Sequence, residues 1–193
     1  MSERTPVTWK YMQTYGGRRI YLDADLFDPN AINVNDVALA LPHINRYVGH
    51  SRYAYSVAQH CLALSYAAER AGMGRNEIVW FFIHDWPEYI TNDIVSPFKR
   101  GMPLITALDA RILSTLAERY NLTPEMPDIC HEWDQRICRN EMDVFGNANL
   151  PDDEKWWRAL APISFVHDQD LQPENPDTLR GQFINRILEL RLA

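Results

Sequence analysis

Residues 76–93 read NEIVWFFIHDWPEYITND, and this stretch sets the terms for the whole chain. From Ile78 to Ile83 it is apolar on every side, as expected of a helix buried at the centre of a helical protein. It then places His84, Asp85, Glu88 and Asp93 within ten residues. Desolvating four ionisable groups costs more than packing returns unless something binds them. Pro87 lacks a backbone N–H and is expected to kink the helix between the His-Asp pair and Glu88.

Helical patterns lie on both sides. VNDVALALPHINRYV predicts a helix capped at Asn35 or Asp36, carrying Val37, Leu41 and Ile44 on one side and ending near Gly49. SRYAYSVAQHCLALSYAAERAG spaces Tyr53, Val57, Cys61, Leu64 and Ala68 at three or four residues, with Gly72 as a stop. LITALDARILSTLAERY and DICHEWDQRICRNEMDVFG read as two further amphipathic helices, and NPDTLRGQFINRILELRLA opens a last one with a proline. Before them, VTWKYMQT and RRIYL flank a glycine turn and predict a small β-hairpin over residues 7–22. The expected fold is therefore all-α, a helical bundle with a small N-terminal β-hairpin. At 193 residues it is expected to be a single domain.

Composition narrows the function. A net charge of −7 argues against a broad nucleic-acid surface. No apolar run approaches the roughly 20 residues of a membrane span. The N-terminal MSERTPVTWK has no apolar leader, and three cysteines without a CxxC pair fit a reduced compartment. A cytoplasmic protein acting on a small molecule is the expectation.

His84 and Asp85 are adjacent, so on a helix they point about 100° apart and can grip a metal from one edge. An antiparallel pair of helices brings His60 across to them, and Asp134 sits beside the apolar stripe Ile129, Trp133, Ile137 of a later helix, where a carboxylate needs a partner. Glu141 and Asp143 compete with Asp134 for the fourth place. Two imidazoles and two carboxylates suit one divalent transition metal (Co, Mn, Zn, Fe or Ni), with Mg²⁺ a candidate beside substrate phosphates. Such an ion lowers the pKa of bound water from about 15.7 toward about 7. Glu88, one helical turn beyond His84, could orient or deprotonate that water, and Asp93 could hold a second. Arg46 offers a planar fork to phosphate and Lys99 a point charge, while His43, His50 and Arg52 crowd the segment around Arg46.

The run RY…YSVAQHCLAL…FFIHDWPEYITNDIVSPFK resembles the HD-domain metal-dependent phosphohydrolases, in the branch of the YfbR-type bacterial 5'-deoxynucleotidases and the phage dATP triphosphohydrolases. The resemblance covers about residues 32–145, with its densest part H-D-x-x-E-x-x-x-x-D-x-x-x-P-x-K from His84 to Lys99. It implies an HD-type fold and metal ligands at His60, His84, Asp85 and Asp134. It also implies catalytic carboxylates at Glu88 and Asp93, and phosphate and nucleoside contacts at Arg46 and Tyr47. Hydrolysis of the 5' phosphate or triphosphate of a deoxynucleotide, giving a deoxynucleoside, is the activity it implies, in a homo-oligomer. Trp86 and Pro87 depart from the small residues usual between the HD pair and the glutamate.

Each assignment has a plainer reading: a His-Asp hydrogen bond, a satisfied core histidine, an Asx-turn at Asp93, a surface ion pair at Arg46, a core aromatic at Tyr47. Trp156 and Trp157 read as core or subunit contact rather than a nucleobase clamp. Two other functions compete, a cyclic-nucleotide phosphodiesterase and a non-enzymatic nucleotide sensor. A two-metal phosphodiesterase would need more histidines than His131 between the HD pair and the last aspartate.

Overall fold

The computed structural model describes residues 11–21 and 23–193. It is 61% helical, so the all-α expectation holds. The hairpin pairs β1 (Tyr11–Gln13) with β2 (Arg19–Tyr21) in antiparallel register, Met12 opposite Ile20. The expected ends of this hairpin, residues 7–10 and 22, lie outside the described residues. Asp36 fastens the hairpin to the helices by accepting from Thr14 Oγ1 at 2.7 Å and from the Gly16 N–H at 2.8 Å. A Cβ at Gly16 would sit 2.7 Å from the same carboxylate, so the close approach requires glycine.

The first helix, α1 (Val34–Ala40), is capped by Asn33 and stops nine residues short of Gly49. Asn35 and Asp36 lie inside it, and Asp36 serves the hairpin instead of capping. Pro42 has no N–H to continue the ladder, so the chain tightens into a 3₁₀ turn over Leu41–His43. It then leaves helical geometry at Ile44 (ψ 112°). A second helix, α2 (Val57–Arg70), begins at a capping box in which the Ser56 hydroxyl accepts from the Gln59 N–H and the Gln59 side chain accepts from the Ser56 N–H.

Four residues turn the chain from α2 into α3 (Arg75–Ile83). The two run antiparallel: Ser65 Oγ donates to the Ile78 carbonyl near one end, and His60 meets His84 near the other. Val79, Trp80, Phe81, Phe82 and Ile83 are all buried, which makes α3 the expected central helix. It ends at the His-Asp pair rather than passing through it. Because Pro87 cannot donate to Ile83, that carbonyl takes the Trp86 N–H at 2.9 Å, and the next bonds run three residues back until α4 (Glu88–Thr91) forms.

Beyond it come α5 (Ser96–Lys99), α6 (Pro103–Arg119), α7 (Asp128–Phe145) and α8 (Pro176–Glu189). Helix α7 packs on α2 and α3, and α8 covers α1 and α2 from another side. Arg186 of α8 is buried but satisfied: it donates to the Ser65 hydroxyl at 3.0 Å and pairs with Glu69 and Glu189 at 3.0 Å each. No helix among the described residues is long and apolar enough to cross a membrane.

Candidate metal centre and its cleft

Three separate elements converge at the site. His60 comes from the first turns of α2, His84 and Asp85 from the tightened turn after α3, and Asp134 from α7. Each offers one ligand atom, and the four atoms lie within 4.8 Å of one another. His60 Nε2 and His84 Nε2 are 3.2 Å apart, and Asp134 Oδ1 is 3.1 Å from the first and 3.5 Å from the second. Asp85 Oδ2 lies 3.5 Å from His60 Nε2 and 3.3 Å from His84 Nε2.

The other nitrogen of each ring fixes its tautomer. His60 Nδ1 faces Glu141 Oε1 at 2.8 Å, and His84 Nδ1 faces the Phe81 carbonyl at 2.9 Å. Both acceptors call for a proton on Nδ1, which leaves the Nε2 lone pairs of the neutral imidazoles facing each other. Two lone pairs at hydrogen-bond distance, flanked by two carboxylates, repel unless a cation lies among them. A divalent metal held by these four atoms fits the donor set.

The titration behaviour expresses the same demand. Burial and Arg46 work against protonating His60, but Glu141 and Asp134 outweigh them and hold it above the ordinary histidine range. Burial likewise opposes a charge on His84, yet Asp85 and Asp134 hold it well above that range. Burial would raise the carboxyl of Asp85, but the His84 imidazolium draws it down to about 2. Asp134 is also held low: burial opposes this, and its hydrogen bonds to His60 and His84 prevail. The carboxylates that favour a proton on each ring would equally favour a cation among the four donors.

Glu141 is a part of the site that the sequence pattern left as a rival ligand. It is fully buried, and besides His60 it accepts from the Tyr47 hydroxyl and lies 3.5 Å from Arg46 Nη2. Its role is to orient His60. The signal was available: Cys130, Trp133, Ile137 and Phe145 form the buried stripe of α7, and Glu141 stands on it, two turns beyond Asp134. Asp143, the other rival, is exposed and pairs with Arg139 and Trp157 instead.

Arg46 Nη1 is 3.3 Å from Asp85 Oδ2, and its buried Nε has no acceptor. Tyr47 and Val48 are left-handed, at φ 57° and 53°, so the predicted helix is here a strained turn. It is held by the Tyr47 N–H donating to Asp93 Oδ2 at 3.1 Å, by the Tyr47 hydroxyl on Glu141, and by the Arg46 N–H on the Tyr55 carbonyl at 2.9 Å. In this turn Arg46 meets Asp85 and Tyr47 meets Glu141.

Arg46, Tyr47, Asp85, Glu88, Asp93, Lys99, Asp134 and Trp156 line one cleft of about 520 Å³. Glu88 is buried and its Oε2 has no partner; burial first, then Asp85 and Asp93, push its carboxyl well above the usual range. Burial also raises Asp93. Lys99 pairs with Asp109 at 2.7 Å. His43 lies in a neighbouring cleft that shares Glu88 and Asp93 as its wall. His50 and Arg52 are not brought to the cluster: they line a separate cleft with residues 143–149. Trp157 is buried, as core, whereas Trp156 is 58% exposed in the metal cleft.

No family model matches the chain. It is 28% identical over 181 residues to the uncharacterized protein YfdR of Escherichia coli (strain K12), covering 93% of this chain and 95% of that protein. It is 32% identical over 126 residues to an uncharacterized protein of Rhodobacter capsulatus, covering 62% of this chain and 61% of the other.

Proposed function

We propose that the chain is a single HD-type, metal-dependent phosphohydrolase domain that removes the 5' phosphate or triphosphate of a deoxynucleotide. One observation carries the reading: four potential ligand atoms from α2, the turn after α3, and α7 meet within 4.8 Å, and two of their residues, Asp85 and Asp134, line a cleft that also holds Glu88, Asp93 and Arg46. His60, His84, Asp85 and Asp134 would hold the divalent ion. When bound, the ion supplies positive charge against phosphoryl oxygens and acidifies water.

The remaining steps belong to the chain's own residues. Arg46 would offer phosphate the N–H groups that Asp85 and Glu141 leave unused, its buried Nε having no acceptor of its own. Glu88 is a carboxyl that can exchange a proton at its free Oε2. Asp93 holds the Arg46–Tyr47 turn through the Tyr47 N–H and so couples the phosphate clamp to the carboxylate pair. Lys99 lines the same cleft, with Asp109 as its partner at 2.7 Å. Histidine supply favours one ion, since His131, the further histidine on α7, faces solvent.

The test is phosphate release from deoxynucleoside mono- and triphosphates with Mn²⁺ or Co²⁺ added, on wild type and two variants. Glu88→Gln should retain metal and nucleotide while losing roughly 10²- to 10⁴-fold in rate. Arg46→Ala should lose both affinity and rate. Nucleotide binding with no release by wild type would favour the sensor reading.

A further inference from the structure

Trp156 is the part of the metal cleft that the phosphate chemistry leaves unused. The indole is more than half exposed, whereas Trp157 beside it is 3% exposed, at 6.0 Å between ring centroids and 88° between planes. A single exposed aromatic is ordinary on a protein surface. This one differs in its address and in its mounting. It shares the cleft with the ligand carboxylates Asp85 and Asp134 and with Arg46. Its backbone is a 3₁₀ turn, Trp156–Ala159, pinned directly to α7, the helix that carries Asp134. Trp157 Nε1 donates to Asp143 Oδ1 at 3.0 Å, and Arg139 Nη1 donates to the Arg158 carbonyl at 3.0 Å. Asp152 holds the same turn through Lys155 at 3.0 Å and Arg158 at 2.9 Å. The turn that carries the indole is therefore fixed relative to α7 and Asp134.

A cleft of about 520 Å³ lies within the range of small-molecule sites. Its lining combines charged groups, Asp85, Asp134 and Arg46, with the exposed aromatic face of the indole. A ligand that uses both carries an anionic group for the cation and arginine and a flat aromatic group for the indole. We propose that Trp156 is the platform on which the base of a nucleotide stacks while its phosphate lies at the metal donors. Stacking of this kind accepts every base, because each has a π-face. Trp156 is thereby a binding residue of the site, one that a substrate without a base would not use. The proposal rests on the phosphohydrolase reading for its phosphate end alone.

The experiment compares a substrate that has a base with one that lacks it, on the full chain with Mn²⁺ saturating. Trp156→Ala should weaken apparent affinity for deoxyadenosine 5'-monophosphate by roughly 5- to 100-fold and leave deoxyribose 5-phosphate unchanged, while Trp156→Phe retains most of the affinity. An equal loss on both compounds, or no loss on either, overturns the proposal. If wild type hydrolyses neither compound, the phosphohydrolase reading fails and the platform is read by calorimetric binding of deoxyadenosine. Binding lost in Trp156→Ala and kept in Trp156→Phe supports it; binding equal in all three, or absent from wild type, overturns it. Sedimentation of each variant closes the remaining route: a changed association state with unchanged affinities makes Trp156 a subunit contact and ends the proposal.

Discussion

Glu141 shows what a buried carboxylate does when it touches the far side of a candidate ligand. It receives the His60 Nδ1 proton, the Tyr47 hydroxyl and one edge of Arg46, so three groups of the site depend on one side chain. Burial would raise its carboxyl, but Arg46 and His60 hold it below the ordinary range, and it stays an acceptor. Glu141→Gln can present its amide nitrogen to His60 Nδ1 and so favour the wrong tautomer. Partners of this kind commonly carry 10- to 100-fold in metal affinity, and a loss of roughly that size is expected on titrating Mn²⁺ into the variant. A loss of stoichiometric binding altogether would instead place Glu141 among the ligands and return Asp134 to the role of a neighbour.

At the scale of the element, short local devices set where helices begin and stop. The His-Asp pair lies on a tight turn because Pro87 starves the Ile83 carbonyl of its usual donor, and the ligands gain directions that a continuous helix would deny them. Helix α2 depends on its first turn in a different way. Ser56 caps it, and His60 follows one turn later, so the cap sets where the ligand points. Ser56→Ala should cost about 1 kcal/mol. For a chain of this size that is a fall of about 2–4 °C in Tm, measurable by calorimetry. A fall below about 1 °C would mean that tertiary packing, not the capping box, fixes the start of α2.

For the whole molecule, the metal cluster links stability to pH in two directions. Asp85 and Asp134 titrate lower folded than unfolded, so their contribution is present above about pH 4 and is lost as pH falls toward their folded values. His60 and His84 titrate higher folded than unfolded, so their contribution is complete below about pH 6.5 and is lost as pH rises through their folded values. A chelated sample should therefore be most stable on the mildly acid side and weaken toward alkaline pH. A bound metal takes the place of the protons on His60 and His84, so the gap in Tm between metal-loaded and chelated protein should widen with rising pH. Thermal scans at about pH 6, 7.5 and 9 check this, and a constant gap would detach the histidines from the metal.

The residues of the chain determined by themselves the elements and the identity of the cluster. Apolar spacing is a local property, so α2, α3, α6, α7 and α8 were legible, as was the concentration of His84, Asp85, Glu88 and Asp93 after an apolar run. Local chemistry also warned of the break at Pro87. Pro42 ended α1 early by the same lost N–H, so the expected helix to Gly49 became a left-handed turn held by distant partners at Tyr55, Asp93 and Glu141. What only the tertiary structure decided is which groups share a space. Glu141 and Asp143 are both acidic residues of one helix, yet a single stripe buries one against His60 and leaves the other in solvent. His50 and Arg46 stand four residues apart and open onto different clefts, and Trp156 and Trp157 are neighbours of which one is core and the other lines the cleft of Asp85 and Asp134. Sequence spacing reports the direction of a side chain from its own element; the neighbour it meets there is supplied by a different segment, and only packing brings that segment near.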